Sequence, residues 1–314
     1  MPSLAPLHSE FDHEKRAEYR AFAKDCSDLP AFLEPWWLDA AAGPGNWSAL
    51  LAKRKGVTAA LPYVKKSRLG LIQIGQPPLT QFLGPWFSPH PLEASLGIQH
   101  KLLDDLIDAL PRHFRYRQSW APEVRNFLAF HWHGFKQSSR CSYRIPAEIS
   151  HEAAWLGLDS RARGDIRHAR KNPKLVITRA SDTSAVAEAV GHVFARKRIR
   201  APITSQELAV IDSRLDSFER RDIFAASAED RNVAAIYVLR GRATDFYLLG
   251  GNITSPACRG ALSACLWSAI EQSLREGRDF DFEGSMLRQV ETYFRSFAPQ
   301  QVWLNHISRS HFPW

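Results

Sequence analysis

"DFDFEGSM", residues 279–286, puts Asp279, Asp281 and Glu283 on alternate positions with Phe280 and Phe282 between them, and then turns to Gly284 and Ser285. A period of two is the mark of a strand with one buried face, so the phenylalanines are expected to pack on a sheet and Asp281 and Glu283 to face the other way. Glycine tolerates positive φ, which lets a chain leave a strand sharply. What lies beside this strand decides the fold.

Upstream, "DIFAASAED", "NVAAIYVLRG" and "ATDFYLLGGN" read as three strands with turns at Glu229-Asp230-Arg231 and Arg240-Gly241. The segment that follows, "GGNITSPACRGALSACLWSAIEQSLREG", carries a turn with Pro256 and Gly260 and then a helix over 258–276. Arg259, Gly260 and Ala261 stand at its start, where free backbone N–H groups and the positive dipole end can hold an anion. After the acidic strand come a helix over 288–297 and a last strand, "QQVWLNHISRS".

The rest of the chain reads in a similar order. Helices are expected over 11–27 and 34–43, a hairpin turning at Lys55-Gly56, a helix over 92–112, and strands in "RHFRYRQSWAP" and "FHWHGFKQSSRCSYRIP". A basic helix over about 153–172, the strand "LVITRA" and a helix over 182–198 open the second half. Helices and strands thus alternate twice in the same order, which points to a repeat. The boundary is expected at 147–152, "AEISHE", giving domains 1–148 and 149–314.

At 314 residues the chain exceeds one ordinary hydrophobic core, which agrees with two domains. Its apolar and charged fractions are those of folded proteins, and no run is long and apolar enough for a membrane helix, so no membrane span is expected. The first twenty residues do not read as a secretory signal, and the expected location is the cytoplasm. Cys26, Cys141, Cys258 and Cys265 are scattered and read as reduced thiols. His131 and His133 would share a strand face, but no third ligand stands near them, and no metal site is expected. Forty-one Lys and Arg against 33 Asp and Glu leave a formal +8, which favours anionic partners.

Four stretches carry a resemblance: "FLEPWW" (32–37), "GQPPLTQFLGPW" (75–86), the basic helix with Arg163, Ile166, Arg167, Ala169 and Lys171, and "FDFEGSM" followed by "VETYFRSFA". In that order they resemble the GNAT acyltransferase superfamily, and within it the two-domain branch of the Fem peptidyltransferases and their acetyltransferase-like relatives. The resemblance runs from Phe32 to about His311 and implies an α+β fold of two tandem GNAT-like domains, each a mixed, mostly antiparallel sheet flanked by helices. The chain departs from the pattern in two places: the acyl-CoA loop is reduced to Arg259-Gly260-Ala261, and Phe297 is followed by Ala298-Pro299.

The resemblance further implies a donor bound where two central strands splay, between "DFYLLGGN" and "DFDFEGS". Leu249, Gly250, Arg259, Gly260 and Ala261 would hold the donor, and backbone N–H groups near Leu248 to Gly250 would face the oxyanion. Glu283, Ser285 and Tyr247 are the implied catalytic residues. Trp36, Gln81 and Trp86 are expected to line a substrate cleft with Trp37, and Arg163 and Arg167, with Lys171 on the same helix face, to grip an acidic or phosphorylated acceptor. The expected activity is transfer of an acyl group, from acyl-CoA in the favoured reading, to an amine of a small or peptide-like acceptor. An aminoacyl-tRNA donor, or a non-catalytic module that binds RNA or a partner, are the alternatives; no DNA partner is expected.

Overall fold

A computed structural model describes residues 7–68, 70–90, 92–216, 219–253 and 258–310. The expected turn at Pro256 and the end of the resemblance at His311 lie outside them.

The chain opens with α1 (Leu7–Asp25), a 3-10 turn at Ala31–Leu33, and α2 (Pro35–Ala42). Pro35 starts α2 where no amide hydrogen is needed and its fixed φ is already helical. β1 (Trp47–Arg54) and β2 (Val57–Arg68) form an antiparallel hairpin through Lys55 and Gly56, both at positive φ. Then come β3 (Leu71–Gly75), β4 (Trp86–Ser88), α3 (Leu96–Asp108), β5 (Arg115–Ser119), α4 (Leu128–Trp132) and β6 (Lys136–Ile145). They are followed by α5 (His151–Gly157), α6 (Ser160–Lys171), β7 (Leu175–Arg179), α7 (Ser184–Arg196) and α8 (Ser205–Asp216). β8 (Arg221–Ala228), β9 (Arg231–Arg240), β10 (Thr244–Asn252), α9 (Ala261–Arg275), β11 (Asp279–Asp281), α10 (Arg288–Arg295) and β12 (Gln300–Ser310) complete the order.

Two compact units result, one of residues through Arg140 together with those from Trp303 onward, the other Cys141–Val302. The division therefore falls inside β6 and β12, not at the expected 148/149, and the last strand returns to the first unit. "AEISHE" is only the approach to α5, whose N-cap Ser150 accepts a hydrogen bond from the Ala153 amide at 3.1 Å.

In the first unit the strand order is β1-β2-β3-β5-β12, with β4 paired to β2. β3 and β5 run parallel, as the crossover through α3 requires. The Pro- and Gly-rich stretch between β3 and β4 is packed, not loose: Trp37 Nε1 donates to Thr80 Oγ1 at 2.9 Å, and Gly84, at φ +77°, lies against the Trp120 ring where a β-carbon would collide. Trp37, Trp86, Trp120, Phe32, Phe82 and Phe130 are fully buried in this core.

The second unit orders its strands β6-β11-β10-β9-β8-β7, antiparallel except for the β10–β11 pair. α9 crosses the sheet and buries Cys265, Leu266, Trp267 and Ile270 in a core shared with Phe280 and Phe282. The phenylalanines of the acidic strand thus pack as expected.

Several elements differ from the sequence reading, among them the short strands β3 and β4, which no expected element covers. The expected strand from Phe130 starts instead inside helix α4, so His131 lies in its last turn and His133 at its end, not on one strand face; burial of Ala129 and Phe130 on the first-unit core outweighs strand propensity. The basic helix is two, because Leu158 is buried in extended conformation and Asp159 caps α6, its Oδ1 accepting from the Ala162 amide at 2.7 Å. α8 was not expected.

Candidate active site

β10 and β11 pair at Thr244↔Asp279, Asp245↔Phe280 and Phe246↔Asp281 and no further. Two causes open the strands there. On β10 the register to β9 shifts between Tyr247 and Leu249, a bulge that inserts Leu248 and bends the strand. On the other side Glu283 and Gly284 both take left-handed backbone, φ +58° and +59°, which swings the chain off the sheet. A β-carbon on Gly284 would collide with the Cys141 carbonyl, so both conformation and close approach require glycine.

Asp281 does not face outward with Glu283. It is fully buried, with Oδ1 accepting from Ser142 Oγ and from the Glu283 amide at 2.8 Å, and Oδ2 accepting from Arg144 Nε at 3.1 Å. Its task is to fix the turn that presents Glu283. Asp279 accepts from the Ala147 amide at 2.8 Å and lies 3.6 Å from Arg144 Nη1. Asp281 and Asp279 are thus both structural, because Ser142 and Arg144 of β6 and the Ala147 amide beyond it supply partners that a local reading cannot see.

Glu283 is half-buried as a residue, but its Oε1 is inaccessible and takes no hydrogen bond among the described residues. Burial, and after it the Asp281 charge, lift its pKa well above the ordinary carboxyl range. The Tyr247 phenol is raised first by burial and then by Glu283, so the two groups feel one another. Tyr247 rests edge-on against Phe294, with ring centroids 5.8 Å apart, and a β-carbon on Gly250 would come within 2.6 Å of its hydroxyl. Gly250 is therefore what lets the phenol lie across the strand end. A further tyrosine joins them: Tyr293 of α10 shares a 3.0 Å hydrogen bond with Ser263 of α9, and its phenol is raised chiefly by burial, with Tyr247 contributing. Tyr293 stands in "VETYFRSFA", a stretch quoted for its resemblance, yet no spacing rule marked it as part of the site. Ser285 accepts from the Leu287 amide at 3.1 Å and shapes the entry to α10.

No protein-family model matches this chain, and no curated protein matches its sequence. Solved structures do. A crystal structure of FemX superposes with a TM-score of 0.66 over 92% of this chain and 95% of its own, at 11% identity. The C-terminal DUF2156 domain of a putative lysylphosphatidylglycerol synthetase from Agrobacterium fabrum gives 0.55 over 93% and 92%, at 10% identity. A tandem GNAT protein from the clavulanic acid biosynthesis pathway gives 0.53 over 96% and 97%, also at 10% identity. The fold is a Fem-like tandem GNAT fold.

Within this tandem GNAT fold the remaining expected residues have these surroundings. Gly260, at φ +80°, caps α9, and a β-carbon there would collide with the Asp165 carbonyl of α6. Arg259 Nε lies 2.8 Å from Asp165 Oδ1, and Ala261 is fully buried. A glycine and an arginine at this helix start are thus accounted for by packing on α6. Leu249 is buried on β10 beside Gly250. Arg163 Nη1 donates to the Leu156 carbonyl at 3.0 Å, and the Arg167 guanidinium sits 5.6 Å from the centroid of the Trp155 ring, so both brace α6 on α5. In the first unit, Trp36 is half-buried edge-on to Trp37, and Trp86 is 1% exposed beside the His90 ring. The Gln81 carbonyl accepts from Gln76 Nε2 at 3.3 Å. Among the described residues, no three His, Cys, Asp or Glu side chains gather as a metal set, and no helix is long and apolar enough to cross a membrane.

Proposed function

We propose that the second unit is an N-acyltransferase centre that moves an acyl or aminoacyl group from an activated donor onto an amine of a small or peptide-like acceptor. The observation that carries this reading is the juxtaposition of Glu283 and Tyr247, both with raised pKa, beside the point where β10 loses its β11 partner. The acceptor amine attacks the donor carbonyl carbon and forms the C–N bond, while the carbonyl oxygen takes the electron pair. Backbone N–H groups near Leu248 to Gly250, where β10 has no β11 partner, are assigned as the donors for that oxyanion. The proton shed by the nitrogen passes to ionised Glu283, a stronger base for its raised pKa. Collapse breaks the bond to the donor's sulfur or oxygen. Tyr247, held protonated, gives the leaving group a proton and recovers one from Glu283. Ser285 shapes the chain leaving the splay, and the grip on an acidic or phosphorylated acceptor is assigned to Arg163 and Arg167, as the resemblance implies.

For the donor, the favoured reading is acyl-CoA, with Leu249, Gly250, Arg259, Gly260 and Ala261 around it. Two observations favour an aminoacyl-tRNA instead: Arg259 and Gly260 are committed to Asp165, and a formal +8 charge suits a polyanion. Thermal-shift titration with acetyl-CoA, longer acyl-CoAs and bulk tRNA separates the two. Stabilisation by CoA thioesters that disappears in Arg259→Glu supports the first; a salt-sensitive shift with tRNA alone supports the second. Absence of any transfer product, with RNA binding untouched by Glu283→Gln, would leave the non-catalytic module.

A further inference from the structure

The first unit holds a cavity of about 350 Å³ lined by none of the residues assigned above to acyl transfer. Cross-strand register builds it. Lys66 stands opposite Gln73, and Gln73 opposite Arg115; two residues on, Val64 faces Gly75; Ser119 faces His306. Arg115, Arg117 and Ser119 share one face of β5 because they alternate, and Arg140 enters from β6. Four permanent cations therefore surround one small cavity, and no carboxylate lines it among the described residues.

His306 reports the resulting potential. Burial first, then Arg140 and Arg117, push its pKa down to about 4, so the imidazole is neutral at physiological pH. Arg117 Nε donates to His306 Nε2 at 3.1 Å, which leaves the proton on Nδ1 to donate to Ser119 Oγ at 3.0 Å. A neutral histidine thus fixes the Arg117 fork without cancelling its charge. Arg140 is lowered too, by burial and then by Arg117. None of Lys66, Arg115, Arg117 and Arg140 makes an ion pair with a carboxylate among the described residues. All four residues are exposed, so solvent screens much of their mutual repulsion; a bound anion removes the rest.

We propose that this cleft is a binding site for a phosphate-bearing ligand, gripped by Lys66, Arg115, Arg117 and Arg140. Arginine forks match phosphate oxygens bidentately, and a volume of about 350 Å³ holds a phosphate or diphosphate together with part of the group that carries it. The Gln-Pro-Pro stretch then has a task in the first unit. Gln76 Oε1 accepts from the Ser119 amide at 2.8 Å and its Nε2 donates to the Thr80 carbonyl, so the loop is tied to the rim of the cleft. The site stands whether or not the second unit transfers acyl groups.

Calorimetric titration of the full chain with inorganic pyrophosphate tests it, with sulfate at matched ionic strength as control. One site per chain is expected, weakened about tenfold or more in Arg115→Gln and in Arg140→Gln and unchanged in Lys174→Gln, whose cation pairs elsewhere with Glu229. Cosedimentation with phosphatidylglycerol vesicles against phosphatidylcholine alone identifies the source: retention lost in the same two variants assigns a lipid headgroup, and variant-sensitive pyrophosphate binding without retention assigns a free phosphate compound. If neither pyrophosphate affinity nor vesicle retention responds to the Arg115→Gln/Arg140→Gln double variant, or sulfate binds as well as pyrophosphate, the cleft is no phosphate site.

Discussion

Glu283 holds a left-handed backbone, a buried carboxylate oxygen without a hydrogen bond and a raised pKa at one position, a combination that costs stability and is expected where chemistry needs it. The sign of its pH linkage follows from the direction of the shift. A carboxyl whose folded pKa lies above its unfolded one contributes stability that is fully present below the unfolded value and is lost as pH rises through the folded value. Glutamine mimics the neutral form. Glu283→Gln is therefore expected to melt with the parent chain at about pH 4 and above it at alkaline pH, by about 2–4 °C per kcal/mol relieved. Turnover is expected to fall by about 10²–10⁴-fold, the usual worth of a general base. Calorimetric melts at both pH values beside a transfer assay check this; a variant less stable at alkaline pH would mean that the carboxylate is ionised and paired. The alternation in "DFDFEGS" sets Glu283 on the face away from Phe280 and Phe282, while its assigned role comes from the resemblance. The alternation misled at Asp281, whose partner Ser142 stands 139 positions away and gives no local signal.

At the scale of elements, the sheet of the second unit was readable because its strands are long apolar alternations punctuated by turn residues, and α9 because its apolar positions recur with helical spacing. Capping decided what was not. α8 begins with a capping box, Thr204 Oγ1 accepting from the Glu207 amide at 3.2 Å and Glu207 Oε2 accepting from the Thr204 amide at 2.8 Å. "TSQE", residues 204–207, spells that box in the sequence. The break between α5 and α6 is spelled by Asp159, a simple N-cap whose Oδ1 accepts from the Ala162 amide. Gly284 is where an element boundary and the site coincide. Gly284→Ala is expected to lose about 1–2 kcal/mol from left-handed backbone alone, and more from collision with the Cys141 carbonyl. Because the turn also presents Glu283, turnover should fall further than stability predicts; denaturant melts compared with kcat at a temperature where the variant is folded would reveal the excess.

For the whole molecule, the two-unit plan was legible as a repeated order of elements, but the assignment of the last strand was not, because a repeat read linearly gives each unit one continuous segment. β12 completes the first unit instead: His306 to Ser310 pair with Ser119 to Arg115, and Asn305 Nδ2 donates to the Val124 carbonyl at 3.2 Å. Without that strand β5 becomes an open edge, and Gln118, Ser119 and Trp120, now almost wholly buried, lose a neighbour on one side. A fragment cut at the linear boundary, residues 1–148, should therefore fail to unfold cooperatively, showing a broad thermal transition and fast amide exchange throughout β5. The same fragment with residues 303–310 rejoined after a flexible Gly/Ser linker should recover a single sharp transition, with slow exchange returning to Tyr116 and Gln118. Equal cooperativity in the two fragments would show that the first core closes without β12, and with it that the linear boundary was the better one.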